Sequence, residues 1–144
     1  MTVSEVMTAS VETCRPEDPI QAVAARMGSL DVGAIPVDDN GQIIGMVTDR
    51  DIVVRAVAKG EDPRTCKVGD VMTPDVVFIS PDDTVLDAAR MMAGRQVRRL
   101  VVLDDQKKLC GILTLGDLAL ESADDKLMGR VLEHISEPPA TPMM

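Results

Sequence analysis

Apolar positions recur along this chain in two rhythms, and the whole sequence of rhythms occurs twice. Ile20, Val23, Ala24 and Met27 stand at i, i+3, i+4 and i+7, which is one stripe of a helix, and Val85, Ala88, Ala89 and Met92 repeat it. Ahead of each stripe lies a short β-favouring run, residues 11–13 and residues 76–79. Arg15-Pro16 and Ser80-Pro81 close these runs, so each predicts a strand entering a turn. Asp18 is a suitable N-cap, and Pro19 suits the first helical position, where the N–H it lacks would have no helical partner. Two further apolar runs follow each stripe: residues 34–37 and 42–47 in the first copy, residues 100–103 and 109–113 in the second. Asp39-Asn40-Gly41 joins the first pair and signals a hairpin, because Asn and Gly accept positive φ. Each second run leads into Thr-x-x-Asp at the start of another helix. The reading per copy is β-α-β-β-α.

The repetition extends to individual residues, which is the strongest single indication of architecture. A shift of 65 positions lays Glu5-Val6-Met7-Thr8 on Asp70-Val71-Met72-Thr73, Pro16 on Pro81, Ile20 on Val85 and Met27 on Met92. One extra residue around Lys107 and Lys108 changes the shift to 66, and Gly45, Thr48 and Asp51 then fall on Gly111, Thr114 and Asp117. The domain reading is residues 1–60 for copy one, 61–67 for a connector containing Pro63, and 68–122 for copy two. A C-terminal amphipathic helix over 123–135 and a Pro-rich tail over 136–144 complete it. A unit of about 60 residues with helices on one sheet face buries too little surface to be secure alone, so the two copies are expected to pack on each other.

Composition narrows the classes of function. The 144 residues are 45% hydrophobic and 27% charged, with no signal-peptide pattern and no apolar run of membrane-spanning length, so a soluble cytoplasmic protein without membrane association is expected. Phe78 is the sole aromatic residue against ten Met, which predicts an aliphatic and thioether core and removes aromatic stacking as a way of binding bases. A formal charge of −9 opposes binding to a nucleic-acid polymer, which needs many Lys and Arg to neutralise phosphates. Cys14, Cys66 and Cys110 are odd in number and widely spaced and read as free thiols in a reducing compartment. With His134 the single histidine, no local zinc motif can be assembled and no metal is expected. Nor does any nucleophile stand beside a base, so no enzyme activity is expected.

The candidate chemistry lies in Gly45-Met46-Val47-Thr48-Asp49-Arg50-Asp51 and Gly111-Ile112-Leu113-Thr114-Leu115-Gly116-Asp117. In each, a strand ends at Thr, and Asp follows one helical turn later. Such a junction can hold a phosphate on its free N–H groups, while the hydroxyl and carboxylate suit a phosphate or sugar oxygen and the two vicinal hydroxyls of a ribose. The same spacing also satisfies a capping box by itself, and for one such motif in isolation capping is the simpler reading. Two copies in matching places favour a nucleotide cradle.

These motifs, with Val6-Met7-Thr8, Val71-Met72-Thr73, Val32-Gly33-Ala34-Ile35-Pro36-Val37 and Gln96-Val97-Arg98-Arg99-Leu100-Val101-Val102, make residues 1 to about 122 resemble two tandem CBS domains. The resemblance implies a mixed α/β (α+β) fold, a pseudo-two-fold CBS pair or Bateman module with two clefts, and pairing of modules into homodimers. It also implies binding of AMP, ADP, ATP or S-adenosylmethionine, with no obligatory cofactor, and regulation of a protein partner. Carried over by position, Thr48 and Asp51 would serve one cleft and Thr114 and Asp117 the other, Asp holding the ribose. Ile35, Pro36 and Leu100 would lie along the adenine. Arg98 and Arg99 occupy positions where relatives that bind AMP often carry basic residues reaching the phosphate, and Arg50 is a weaker candidate. Val101 stands in place of Pro36 and Leu115-Gly116 in place of Asp49-Arg50, so the two clefts are expected to be chemically unequal.

Two functional readings follow. The first is a non-catalytic sensor of an adenosine-containing ligand, signalling to a separate protein because no effector domain follows the second copy. The second is a ligand-free dimeric scaffold or interaction module in which Thr-x-x-Asp acts only as a helix cap.

Overall fold

The structure, a computed structural model, describes residues 1–121 together with Glu133 and Ile135. The expected C-terminal helix and tail otherwise lie outside the described residues, as does His134. In chain order the elements open with α1 (Val3–Val6), β1 (Thr8–Ala9), α2 (Ile20–Leu30), β2 (Ala34–Asp39) and β3 (Gln42–Thr48). A short helix α3 (Asp49–Ile52) continues as a π-helical turn over Val53–Val57. The second copy supplies α4 (Val68–Val71), β4 (Phe78–Ile79), α5 (Val85–Arg95), β5 (Arg99–Leu103), β6 (Leu109–Thr114) and α6 (Leu115–Glu121).

These elements form two compact units. One is Ser10–Val76; the other combines Met1–Ala9 with the described residues from Val77 onward. The Val-Met-Thr segment that precedes each copy in sequence therefore folds with the other copy. In the copy-two unit the sheet order is β1-β6-β5-β4, with β1 antiparallel to β6 and β4 parallel to β5. The copy-one unit has the β2-β3 hairpin, flanked by two single bridges, Cys14 parallel to Val37 and Met46 antiparallel to Thr73. It is the same four-position sheet with its outer strands reduced to one residue each, where the sequence predicts three strands per copy.

Pro36 explains part of that reduction. In the copy-two unit Val101 donates its N–H to the Val77 carbonyl at 3.0 Å. Pro36 holds the position of Val101 and has no N–H to give, so the ladder cannot run on along residues 11–13. What remains is Cys14 N–H to the Pro36 carbonyl at 3.0 Å and Asp38 N–H to the Cys14 carbonyl at 2.7 Å.

The helix stripes are present with one change. Ile20, Val23 and Met27 are buried with Ile35, Val37, Val47, Val68 and Val71, whereas Ala24, one position past Val23 on the helix surface, is exposed. Its counterpart Ala89 is buried with Ala88, Met92, Leu100 and Leu113, and Ile135 packs on that cluster. Helix α2 begins at Ile20 with Pro19 as its N-cap and no side-chain cap. Asp18 instead accepts from Arg15 N–H in the preceding turn. The first N–H groups of α2 are satisfied by backbone carbonyls of the connector: Ile20 donates to Cys66 at 2.9 Å and Gln21 to Pro63 at 3.0 Å. Asn40 at φ 54° and Gly41 at φ 90° close the β2-β3 hairpin as expected.

Candidate functional site

Gly45 and Gly111 open both Gly-x-x-Thr-x-x-Asp segments for a packing reason. A Cβ on Gly45 would lie 2.7 Å from the Thr73 carbonyl oxygen and 2.9 Å from the Met72 sulfur. On Gly111 it would collide with the Thr8 carbonyl oxygen and with the Met7 sulfur at 2.9 Å. Each glycine thus admits a Val-Met-Thr segment against the last sheet strand. The segment pairs there in the same register in both units, Thr73 on Met46 and Thr8 on Ile112.

At the ends of these strands both Thr-x-x-Asp sets form reciprocal caps. Thr48 Oγ1 accepts from Asp51 N–H at 3.1 Å while Asp51 Oδ2 accepts from Thr48 N–H at 3.0 Å. Thr114 and Asp117 repeat this at 3.1 and 2.9 Å. The two carboxylates differ beyond that. Asp51 is 7% exposed. It accepts from Thr73 Oγ1 on both oxygens at 3.2 Å, and Arg55 Nε stands 3.9 Å from its Oδ1. The Arg55 guanidinium also donates to the carbonyls of Val71 and Met72, at 3.3 and 3.0 Å. Asp117 is half-buried, and among the described residues its Oδ1 receives no hydrogen bond. Neither Thr73 nor Arg55 stands among the sequence candidates. Their signal would have been the Thr that ends Val-Met-Thr, and an Arg four residues after Asp51 on the same helix turn.

The remaining candidates fall into two groups. Ile35 and Leu100 are buried in the cores of their own units. Pro36 is buried on the opposite face of the β2-β3 hairpin, across from Met46. Arg98 and Arg99 are exposed and form no ion pair with a described residue. Arg99 stands directly across β5-β6 from Thr114, and the Arg98 carbonyl accepts from Leu115 N–H at 2.8 Å, so both arginines border the Thr114-Asp117 junction. In the copy-one unit Ala34 faces Thr48 in the same register, and the Gly33 carbonyl accepts from Asp49 N–H at 3.0 Å. Arg50 is exposed, and its backbone N–H donates to Asp49 Oδ1 at 2.8 Å.

A family model for the CBS domain matches the chain twice, over residues 3–57 and 68–124. The chain belongs to the CBS domain family. Among its CBS relatives, YhcV of Bacillus subtilis is 42% identical over 134 residues, which cover 93% of this chain and 94% of that protein. The crystal structure of Hypoxic Response Protein I with two coordinated zinc ions is 31% identical, with a TM-score of 0.74, and the match covers 85% of this chain and 99% of that one. The crystal structure of CBSX2 in complex with AMP is 29% identical, with a TM-score of 0.70, over 83% of this chain and 93% of that one. Among the described residues of this CBS protein, no three His, Cys, Asp or Glu side chains gather as a metal site, and no helix is long and apolar enough to cross a membrane.

Proposed function

We propose that this CBS protein is a non-catalytic sensor that binds an adenosine-containing ligand of the AMP, ADP or ATP class at a Thr-x-x-Asp junction and signals to a separate protein. The observation that carries the reading is the recurrence of Thr and Asp, held by the same pair of bonds, at the same strand-to-helix junction of both units. The likeness to CBSX2, a protein whose structure is a complex with AMP, supports it. Signalling then requires only that the ligand prefer one arrangement of the protein over another. The reciprocal caps favour a second reading, an unfilled scaffold, because they account for Thr and Asp without any ligand.

Differential scanning fluorimetry with AMP, ADP, ATP, NAD and S-adenosylmethionine separates the two. A ligand at 100 times its Kd adds about 2.7 kcal/mol, which raises Tm by roughly 5–10 °C for a chain of this size. Loss of that shift in Thr48→Ala/Asp51→Ala or in Thr114→Ala/Asp117→Ala ties it to a junction. No shift with any ligand makes the scaffold the better account.

The protein works as a homodimer in this reading. Val53, Val54 and Val57, on one turn after α3, are 57%, 46% and 65% exposed, an apolar face that a second copy would cover. Sedimentation at micromolar concentration tests this: a monomer that Val53→Glu leaves unchanged sinks it, and a dimer that the substitution dissociates supports it.

A further inference from the structure

We infer that the two junctions have different tasks: Asp51 latches residues 71–73 onto α3, and the protein takes a single nucleotide, at Thr114 and Asp117 beside Arg98 and Arg99. The inference rests on the adenosine reading above and assigns the ligand to one copy.

The carboxylates decide the first half. A ribose can be held only by an aspartate with acceptor capacity to spare, since its vicinal hydroxyls must donate to it. Asp51 is 7% exposed, and its oxygens already accept from Thr48 N–H and share the one Thr73 hydroxyl proton while facing Arg55, so a diol is denied access to the lone pairs that remain. A diol there would have to displace the Thr73 hydroxyl, one of the contacts that hold its segment. In copy two the backbone pairing is the same, yet Thr8 is exposed and donates to no carboxylate among the described residues. At the sequence position matching Arg55 stands Glu121. Asp117 therefore keeps an oxygen free of described donors.

Charge decides the second half independently. The bond from Asp49 N–H to the Gly33 carbonyl, and that from Leu115 N–H to the Arg98 carbonyl, are the same bond in the two copies. Around it copy one sets Gly33, Ala34, the carboxylate of Asp49 and the exposed Arg50, and copy two sets Arg98, Arg99, an apolar Leu115 and Gly116. Asp49 Oδ2 lies 3.0 Å from where a Cβ on Gly33 would stand, so a long side chain there meets a carboxylate at once. Phosphates brought to the first junction meet Asp49 and Arg50, whose charges offset, next to the buried Asp51 with Arg55 beside it. Phosphates brought to the second meet two arginines with no ion-pair partner among the described residues. The second junction thus carries two positive charges where the first is balanced, and in a chain of net charge −9 that surplus selects where an anion can sit.

Isothermal titration of the full chain with ATP and with AMP tests the assignment. One nucleotide per chain is expected, with affinity for ATP falling at least about tenfold in Asp117→Asn and in Arg98→Gln/Arg99→Gln, the latter a surface change that leaves the fold intact. Thr73→Val, which releases Asp51, is expected to lower Tm and hold nucleotide affinity within about threefold. Two nucleotides per chain, wild-type affinity in Asp117→Asn, or a tenfold loss in Thr73→Val would overturn the assignment while leaving the adenosine reading standing. Absence of binding by the wild-type protein overturns both.

Discussion

Thr73 Oγ1 lies 3.2 Å from both carboxylate oxygens of Asp51, joining two residues 22 positions apart in the sequence. Asp51 is a buried charge, and the hydroxyl replaces part of the water it has lost. In Thr73→Val the shape is kept and the donor removed, leaving the carboxylate with the Thr48 N–H and a longer approach from Arg55. A loss of about 1–3 kcal/mol is expected, read as a lower urea midpoint at unchanged slope. Thr73→Ser should recover most of it, and a Thr73→Ser protein as weak as Thr73→Val would show that the methyl group matters and the hydroxyl does not.

Gly45 and Gly28 make a matched pair of alanine substitutions with opposite signs. At Gly45 a Cβ lies 2.7 Å from a backbone oxygen of the segment that carries Thr73, so the segment must shift or detach. Gly45→Ala should cost about 1–3 kcal/mol. Gly28 stands inside α2 with nothing within 4 Å of a Cβ, so Gly28→Ala should stabilise by about 0.5–1 kcal/mol through the unfolded chain. Thermal melts of the two variants should move in opposite directions, and a Gly45→Ala melt at or above wild type would refute the close-approach explanation.

The repeat, the helix stripes and the Asn-Gly hairpin were legible because each is written in local spacing. So was Thr-x-x-Asp as a junction, since a capping box closes within four residues. What escaped the sequence depends on backbone meeting backbone over long distances. Residues 71–73 fold with copy one and Met7-Thr8 with copy two, and the one trace of this is a glycine in each facing strand. The loss of a strand along residues 11–13 was written in Pro36, but its meaning appears only once the partner that needed the missing N–H is known. The difference between Asp51 and Asp117 hides behind identical motifs, because it comes from a hydroxyl and a guanidinium outside them.

Helix α5 carries at Thr84 the side-chain cap that α2 lacks. Thr84 Oγ1 accepts from Asp87 N–H at 3.1 Å and Asp87 returns a bond from Thr84 N–H at 3.2 Å. Thr84→Ala removes one half of this box and should cost about 1 kcal/mol. Thr84→Asn or Thr84→Asp, which also cap, should cost less. Equal loss in all three would refute the side-chain cap as the source of the stability, since the backbone bridge between Thr84 and Thr2 is open to every one of them.

Cys14 gives the copy-one unit a pH dependence of definite sign. Burial, reinforced by Asp18 and partly opposed by Arg26, pushes its thiol from 9.0 up to about 11. Between those values the unfolded chain has lost the proton and the native protein retains it, so the native state binds more protons and stability falls as pH rises. The contribution is intact below pH 9 and gone above about pH 11. A shift of that size corresponds to about 2–3 kcal/mol. Cys14→Ala removes the titrating group at the expense of a smaller side chain in the core, so it should be less stable at pH 7 yet lose less than wild type as pH is raised from 8.5 to 10.5. Urea melts across that range read the difference directly, and parallel curves for the two proteins would mean that Cys14 ionises as readily in the native state as in the unfolded chain.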